Sequence, residues 1–374
     1  MTLALTEEQT MIRDAAAGWA AERAPTTALR ALRKDALAAT GHDPALYAEM
    51  AEMGWTGVTI PEAEGGFGMG FAAAGLIAEQ LGRTLVGSPL IGSAVVAGSI
   101  LVMAGSAEQK AAWLPRIIAG DAVVALALDE GPRHDPARVA LDARREGSDW
   151  ALDGVKRPVF DGTAADAFIV VARTRGGLSL FLCPADAPGV SRAALRQIDS
   201  RGAAIVTFAG CRLGAGALIG AEGDAATVLD RALDRGRAVL AAEMLGSAQA
   251  AFDATIDYLR TRVQFDKPIG AFQALQHRAA DLLAELELTR SAVRAALAAI
   301  DAGDADEARL ASLAKALAGR TLRKVAQEMV QMHGGIGMTD EHDAGLYLKR
   351  AQAADMTWGN AAFHRDRYAR LSGF

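Results

Sequence analysis

Arg260-Thr-Arg262-Val-Gln264-Phe265-Asp266-Lys267-Pro268-Ile269-Gly270-Ala-Phe272-Gln273-Ala-Leu-Gln276-His-Arg-Ala-Ala-Asp281 is the stretch whose reading decides the fold. An amphipathic helical pattern runs into it and another runs out. Proline lacks a backbone N–H and cannot continue a helix, so the chain is expected to bend at Lys267-Pro268-Ile269-Gly270. Such a bend gathers Arg262, Gln264, Phe265 and Gln273 at one helix–helix corner. A fixed positive charge, two amides and an aromatic ring suit an anionic, planar ligand. Local chemistry leaves a second reading open, an ordinary solvated helical hairpin, and favours it because such corners are common in helical proteins.

Working outward, Leu229, Leu233, Leu240, Met244, Ala248, Phe252, Ile256 and Leu259 form one helical stripe before the corner. Phe272, Leu275, Ala279, Leu282, Leu286, Val293 and Leu297 form another after it. Two more helices are expected over about 305–332 and 340–371, giving a four-helix bundle from residue 223 to 374. Upstream, from 121 to 222, short apolar runs alternate with turns: Val123–Leu128, Trp150–Lys156, Ala167–Val171, Leu178–Leu182 and Ala204–Phe208. This spacing predicts an antiparallel, barrel-like β domain, with a hairpin turn at Asp153-Gly154. Residues 1–120 read as a helical domain. Thr6-Glu-Glu-Gln9 is a capping box for a helix ending near Glu22, and further helices are expected at 44–53, 71–82, 90–104 and 107–119. The fold class is therefore mainly α with a central β domain.

Composition narrows the partners. The 374 residues carry a formal charge of −6, so no global basic field invites nucleic acid. No long uncharged apolar run is expected to span a membrane, and the acidic start does not resemble a signal peptide. Cys183 and Cys211 read as buried thiols rather than a disulfide, as in a reducing cytoplasm. No metal-ligand spacing is present among the cysteines and histidines.

The corner's wording resembles the acyl-CoA dehydrogenase family. Arg262-Val-Gln-Phe265, Pro268-Ile-Gly270, Phe272-Gln273 and Gln276…Asp281 follow the family's order, and Gln331-Met-His-Gly334-Gly335-Ile-Gly337 matches a second signature. The resemblance implies FAD as cofactor, an acyl-CoA thioester as substrate and electron-transfer flavoprotein as acceptor. It places Arg262 on the pyrophosphate and Phe265 on the adenosine half. It also assigns flavin binding to Gln273, Gln331, Gly334 and Gly335, with Gln264 at the same corner. In the family these groups reach the flavin of a neighbouring subunit.

The chain departs from the family where the chemistry is done. After Gly154-Val-Lys156 the family has Trp-Ile-Thr or Trp-Ile-Ser against the flavin ring; here Arg157-Pro158-Val159 follows. The segment before it is reduced to Leu128-Asp129-Glu130-Gly131-Pro132-Arg133-His134-Asp135. The two family positions for the catalytic glutamate carry Gly236 and Trp358. Glu243 lies on the face of Gly236 but about 10 Å along the helix axis, too far for a simple exchange. Asp355, one turn before Trp358, is the other candidate. Three expectations follow. The first is the subunit of an α2β2 acyl-CoA dehydrogenase that lacks the base and completes the partner's FAD site. The second is a homotetramer with a relocated base, Glu243 or Asp355. The third is a helical scaffold that has lost flavin chemistry.

Overall fold

The capping box forms as read: Thr6 accepts the Gln9 N–H and the Gln9 side chain accepts the Thr6 N–H, opening α1 (Glu7–Arg23). The computed structural model of the chain describes residues 5–34 and 39–374. A short helix that the pattern did not announce, α2 (Thr26–Leu32), follows, then α3 (Pro44–Glu52) and α4 (Gly70–Arg83). The helix expected over 90–104 is split. Leu90–Ala97 winds as a π-helix and α5 (Gly98–Ala104) continues it. Every residue of the π segment is buried, so no polar face reveals its period. A second capping box, Ser106 with Gln109, opens α6 (Ala107–Ile118).

The β region runs β1 (Val124–Ala127), β2 (Asp142–Glu146), β3 (Asp149–Phe160), β4 (Ala167–Thr174), β5 (Gly177–Pro184), β6 (Val190–Ala194), β7 (Ala203–Leu213) and β8 (Leu218–Ile219). Strand order is β6-β7-β3-β2-β4-β5-β8, with β1 paired to β4 in parallel. The barrel-like, antiparallel expectation is corrected on both counts. The sheet is mixed, because β1 and β2 each pair with β4 in the same direction. It is also open, because the short strands β6 and β8 end the ladder without pairing to each other. The hairpin turn also moves. β2 and β3 pair with Glu146 opposite Asp149, so the reversal is Gly147-Ser148. Asp153-Gly154 lies inside β3 at a register shift against β7. Asp153 accepts the Gly210 N–H there, and a side chain at position 154 would press on Leu141. The dipeptide marks a bulge, a use of Gly that local sequence does not separate from a turn.

The helices return with α7 (Ala225–Thr261), the strand pair β9 (Val263–Gln264) and β10 (Lys267–Pro268), α8 (Gln273–Ala302) and α9 (Glu307–His333). The expected last helix is broken into α10 (Ala344–Met356) and α11 (Ala361–Leu371). Trp358 and Gly359, at φ of 52° and 104°, make the break. Two glycines let α4 and α7 touch backbone to backbone: a Cβ at Gly82 would lie 2.0 Å from the Glu243 carbonyl oxygen, and one at Gly246 only 1.7 Å from that of Glu79.

Contacts group the chain into two compact units. One holds the chain through Leu29, Phe71–Val86 and Arg237–Phe374; the other holds Arg30–Gly70 and Gly87–Gly236. None of the helices among the described residues is long and apolar enough to cross a membrane.

Candidate flavin-binding corner and base positions

The chain reverses earlier than proline alone indicates. Lys267 pairs with Gln264 and Pro268 with Val263, so the turn is Phe265-Asp266 and Pro268 sits in a strand. Phe265 and Asp266 take φ of 54° and 60°, the two left-handed residues of a tight hairpin. This geometry throws the Phe265 ring outward, 85% exposed, edge-on to Phe272 with centroids 5.9 Å apart. Lys267 Nζ lies 4.4 Å over the Phe272 ring. Arg262, Gln264 and Gln273 are all exposed. Gln264 donates to the carbonyl of Val263 at 2.8 Å. Gln273 opens α8, whose N-cap Phe272 offers no side-chain acceptor. Free helix N–H groups beside an exposed guanidinium make a favourable place for phosphate oxygens.

The second signature lies at the same end of the bundle. His333, the last residue of α9, stacks on Tyr258 of α7 with ring centroids 4.3 Å apart. Arg278 near the start of α8 pairs with Glu328 near the end of α9. Gln331, Gly334 and Gly335 are therefore carried to the Arg262 end of α7, and all three are exposed. Gly334 needs to be glycine for its backbone, at φ 62° and ψ −136°. Gly335 does not: its φ is not left-handed, and a Cβ there would meet nothing within 4 Å. The fold of this chain gives no reason for a glycine at 335, whereas a ligand backing onto that turn would.

The second base position, Trp358, is fastened elsewhere in the bundle. Arg237, next to Gly236, donates to the Trp358 carbonyl at 3.1 Å and stacks on Phe363 at 5.6 Å. His364 also contacts that carbonyl, at 3.2 Å. The buried Lys315 ammonium donates to the carbonyls of Ala354, Asp355 and Gly359, each at 3.0 Å. Three buried basic side chains thus fasten the turn that carries Trp358. His364 is kept neutral, its pKa pushed far down by burial and by Arg237, Lys315 and Arg367. A Cβ at Gly359 would stand 2.4 Å from Phe363, so packing of α11 accounts for that glycine.

Neither substitute acid is free to take a proton from a substrate. Glu243 pairs with Arg350 at 3.3 Å, with side chains 8% and 1% exposed. Arg350 spends its other N–H groups on the carbonyls of Leu85 and Val86. Asp355 is bound to Arg323 and accepts the Ala361 N–H at 3.1 Å. Each carboxylate already neutralises a guanidinium, the stable use of an acid inside a protein.

In the β region the polar groups are also consumed. Lys156, fully buried, donates to Glu130 at 2.7 Å and to the Leu128 carbonyl at 3.0 Å. Glu130 also accepts the N–H groups of Ala140 and Leu141. Burial pushes the Lys156 ammonium down to about 8 despite Glu130. Burial alone would raise Glu130, but Lys156 and the two N–H groups outweigh it and hold its carboxyl below the usual range. Asp129 grips His134 at 3.0 Å and its carbonyl takes the Arg157 N–H at 2.6 Å. Loop 128–141 is stitched to β3 where the family's ring contacts would stand. The corner and the second signature fit the adenosine diphosphate half of FAD; the β3 end does not fit its ring.

Sequence reasoning placed the corner but missed Arg237, Lys315, His364 and the Lys156–Glu130 pair. Lys315 sits in an Ala-rich helix with nothing local to mark it as buried.

The chain matches the family described as "Acyl-CoA dehydrogenase, N-terminal domain" over residues 6–121, and "Acyl-CoA dehydrogenase, C-terminal domain" over residues 225–372. It is 32% identical to the acyl-CoA dehydrogenase FadE12 of Mycobacterium tuberculosis, over 93% of this chain and 91% of that one. Among solved structures it resembles a variant of the Tcur3481-Tcur3483 steroid ACAD, with 31% identity, a TM-score of 0.89 and coverage of 100% and 99%. It also resembles a chain of the ChsE4-ChsE5 complex from Mycobacterium tuberculosis, with 26% identity, a TM-score of 0.91 and the same coverage.

Proposed function

Because this chain belongs to the acyl-CoA dehydrogenase family of FAD-dependent oxidoreductases, we propose that it is the base-lacking subunit of a hetero-oligomeric member and completes the flavin site of a homologous partner. FAD, when bound, accepts hydride from the β-carbon of an acyl-CoA as the α-proton is removed. In this reading the partner supplies the carboxylate that takes that proton. Arg262 neutralises the diphosphate, and the α8 N-terminus adds N–H donors beside it. Phe265 gives the adenine a ring to lie against, Gln273 and Gln331 supply amide contacts, and Gly335 lets the backbone approach.

One observation carries the proposal. The signature residues converge on one solvent-facing end of the bundle, while the two candidate acids, Glu243 and Asp355, are each held in an ion pair and the family's base positions carry Gly236 and Trp358. A scaffold without flavin chemistry has no use for that exposed combination. A homotetramer with a relocated base would require Glu243 to give up its pairing with the buried Arg350, or Asp355 its pairing with Arg323. The heteromeric relatives, the steroid ACAD and ChsE4-ChsE5, support an assembly of this kind and a bulky acyl group. Electron-transfer flavoprotein is the proposed acceptor. The test is to purify the chain alone and co-expressed with family members that keep the glutamate, then compare absorption spectra, masses and acyl-CoA oxidation. Flavin and turnover are expected only in the co-purified complex; stoichiometric flavin and turnover in the isolated chain would overturn the proposal.

A further inference from the structure

Cys183 on β5 and Cys211 on β7 have no part in the proposed function. Along the hydrogen-bonded order, β3, β2 and β4 separate their strands, and 28 positions separate them in the chain. Their sulfurs nevertheless stand 3.8 Å apart, both side chains buried in the sheet's core. The sheet curls until its flanks face each other. Trp150 of β3 meets Phe181 of β5 edge-on at 5.1 Å, and Phe168 of β4 meets Phe208 of β7 at 6.3 Å. No ladder joins these flanks, because the sheet is open at β6 and β8.

We propose that Cys183 and Cys211 form an intramolecular disulfide when the protein meets hydrogen peroxide, closing with a covalent bond a sheet that hydrogen bonding leaves open. The sulfurs need to approach from 3.8 Å to about 2.05 Å. The pair is polarised for the first step. The hydrogen bond between the two sulfurs holds the Cys211 thiol below its ordinary pKa and Cys183 above its own. Cys211 is therefore the first nucleophile. Its thiolate attacks one peroxide oxygen and the O–O bond breaks; the departing hydroxide takes up the released thiol proton as water. The Cys183 sulfur then attacks the Cys211 sulfenic acid, the S–O bond breaks, and the second water leaves with the Cys183 proton. Two thiols and one peroxide give one disulfide and two waters. Burial sets the selectivity, since a small neutral oxidant can enter an apolar core that charged or bulky thiols cannot.

The test uses the folded full-length chain treated with hydrogen peroxide, then denatured in N-ethylmaleimide and mapped by peptide mass spectrometry. A Cys183–Cys211 linked peptide, lighter than the two free peptides by two hydrogens, is expected. Neither cysteine should take up the label, and dithiothreitol added after denaturation should reverse both results. The oxidised chain should also melt higher, because the link restricts the unfolded chain. Cys211→Ala should leave Cys183 free to label, Cys183→Ala should retain oxygen on Cys211 with no linked peptide, and neither variant should rise in melting temperature. The wild-type peptide map decides the matter even if those variants fold poorly. In the wild type, full labelling of both cysteines after peroxide, oxygen added to either without a linked peptide, or a disulfide between molecules would each overturn the proposal.

Discussion

Replacing Glu243 with Gln separates a structural acid from a catalytic one. Its carboxylate lies 3.3 Å from the Arg350 guanidinium, with side-chain exposures of 8% and 1%. Arg350 also serves the carbonyls of Leu85 and Val86, so it cannot swing to solvent without breaking those bonds. Removing the negative charge leaves a buried cation uncompensated, a loss of about 3–5 kcal/mol for a pair of this kind. Guanidinium denaturation should show a lower midpoint at an unchanged slope. Replacing both partners, Glu243→Leu with Arg350→Met, should recover most of the loss, because no charge is then stranded. Turnover per bound flavin in the assembled enzyme should stay near wild type wherever the variant is folded. A general base would behave the opposite way, with the rate falling about 10²–10⁴-fold in a stable protein. An unchanged midpoint together with such a collapse would refute the structural reading of Glu243.

Arg262→Ala should weaken flavin retention in the complex by about ten- to a hundredfold, the worth of one charge-assisted phosphate contact, read from released flavin fluorescence at increasing dilution. Gly335→Ala should melt with the wild type yet hold flavin less well, whereas Gly334→Ala should also lose stability through its φ of 62°. Lys156 titrates at about 8 in the folded chain, below its unfolded value of 10.5. The unfolded state therefore binds the extra proton between those values, and stability rises with pH by up to about 1.4 kcal/mol per unit in that window. Melting curves from pH 7 to about 10 should show that rise in the wild type and not in Lys156→Met. His364 has its folded pKa lowered, so its unfolded form alone gains a proton as pH falls past the ordinary 6.5. Stability is lost on that side. His364→Gln should flatten this acid limb, and an unaltered limb would show that the imidazole is not the group responsible.

The sequence was most informative where one residue type has one local job. Thr6 and Gln9 can both be satisfied only as a capping box, and they are. It was less informative where a residue type has two jobs. Asp153-Gly154 serves a bulge rather than a turn, and Pro268 enters a strand while Phe265-Asp266 makes the reversal. The all-buried segment Leu90–Ala97 has no polar face, so its π-helical period leaves no trace in the pattern. At the site, the corner residues were recognisable from their order, and the gathering of Gln331–Gly335 to the same bundle end follows from helix lengths. The fastening of Trp358 by Arg237, Lys315 and His364 was not recognisable. Those contacts join residues up to 121 positions apart, and no local feature distinguishes a buried lysine from a solvated one.

In the proposed assembly this chain grips the phosphates of a flavin whose proton-abstracting acid belongs to another subunit. Flavin absorbance combined with native mass, taken on the isolated chain and on its co-purified complex, tests it most directly. A colourless isolated chain is expected, and a yellow complex holding fewer flavins than chains that loses its colour with Arg262→Ala. A yellow isolated chain with one flavin per subunit, oxidising acyl-CoA unaided, would contradict it.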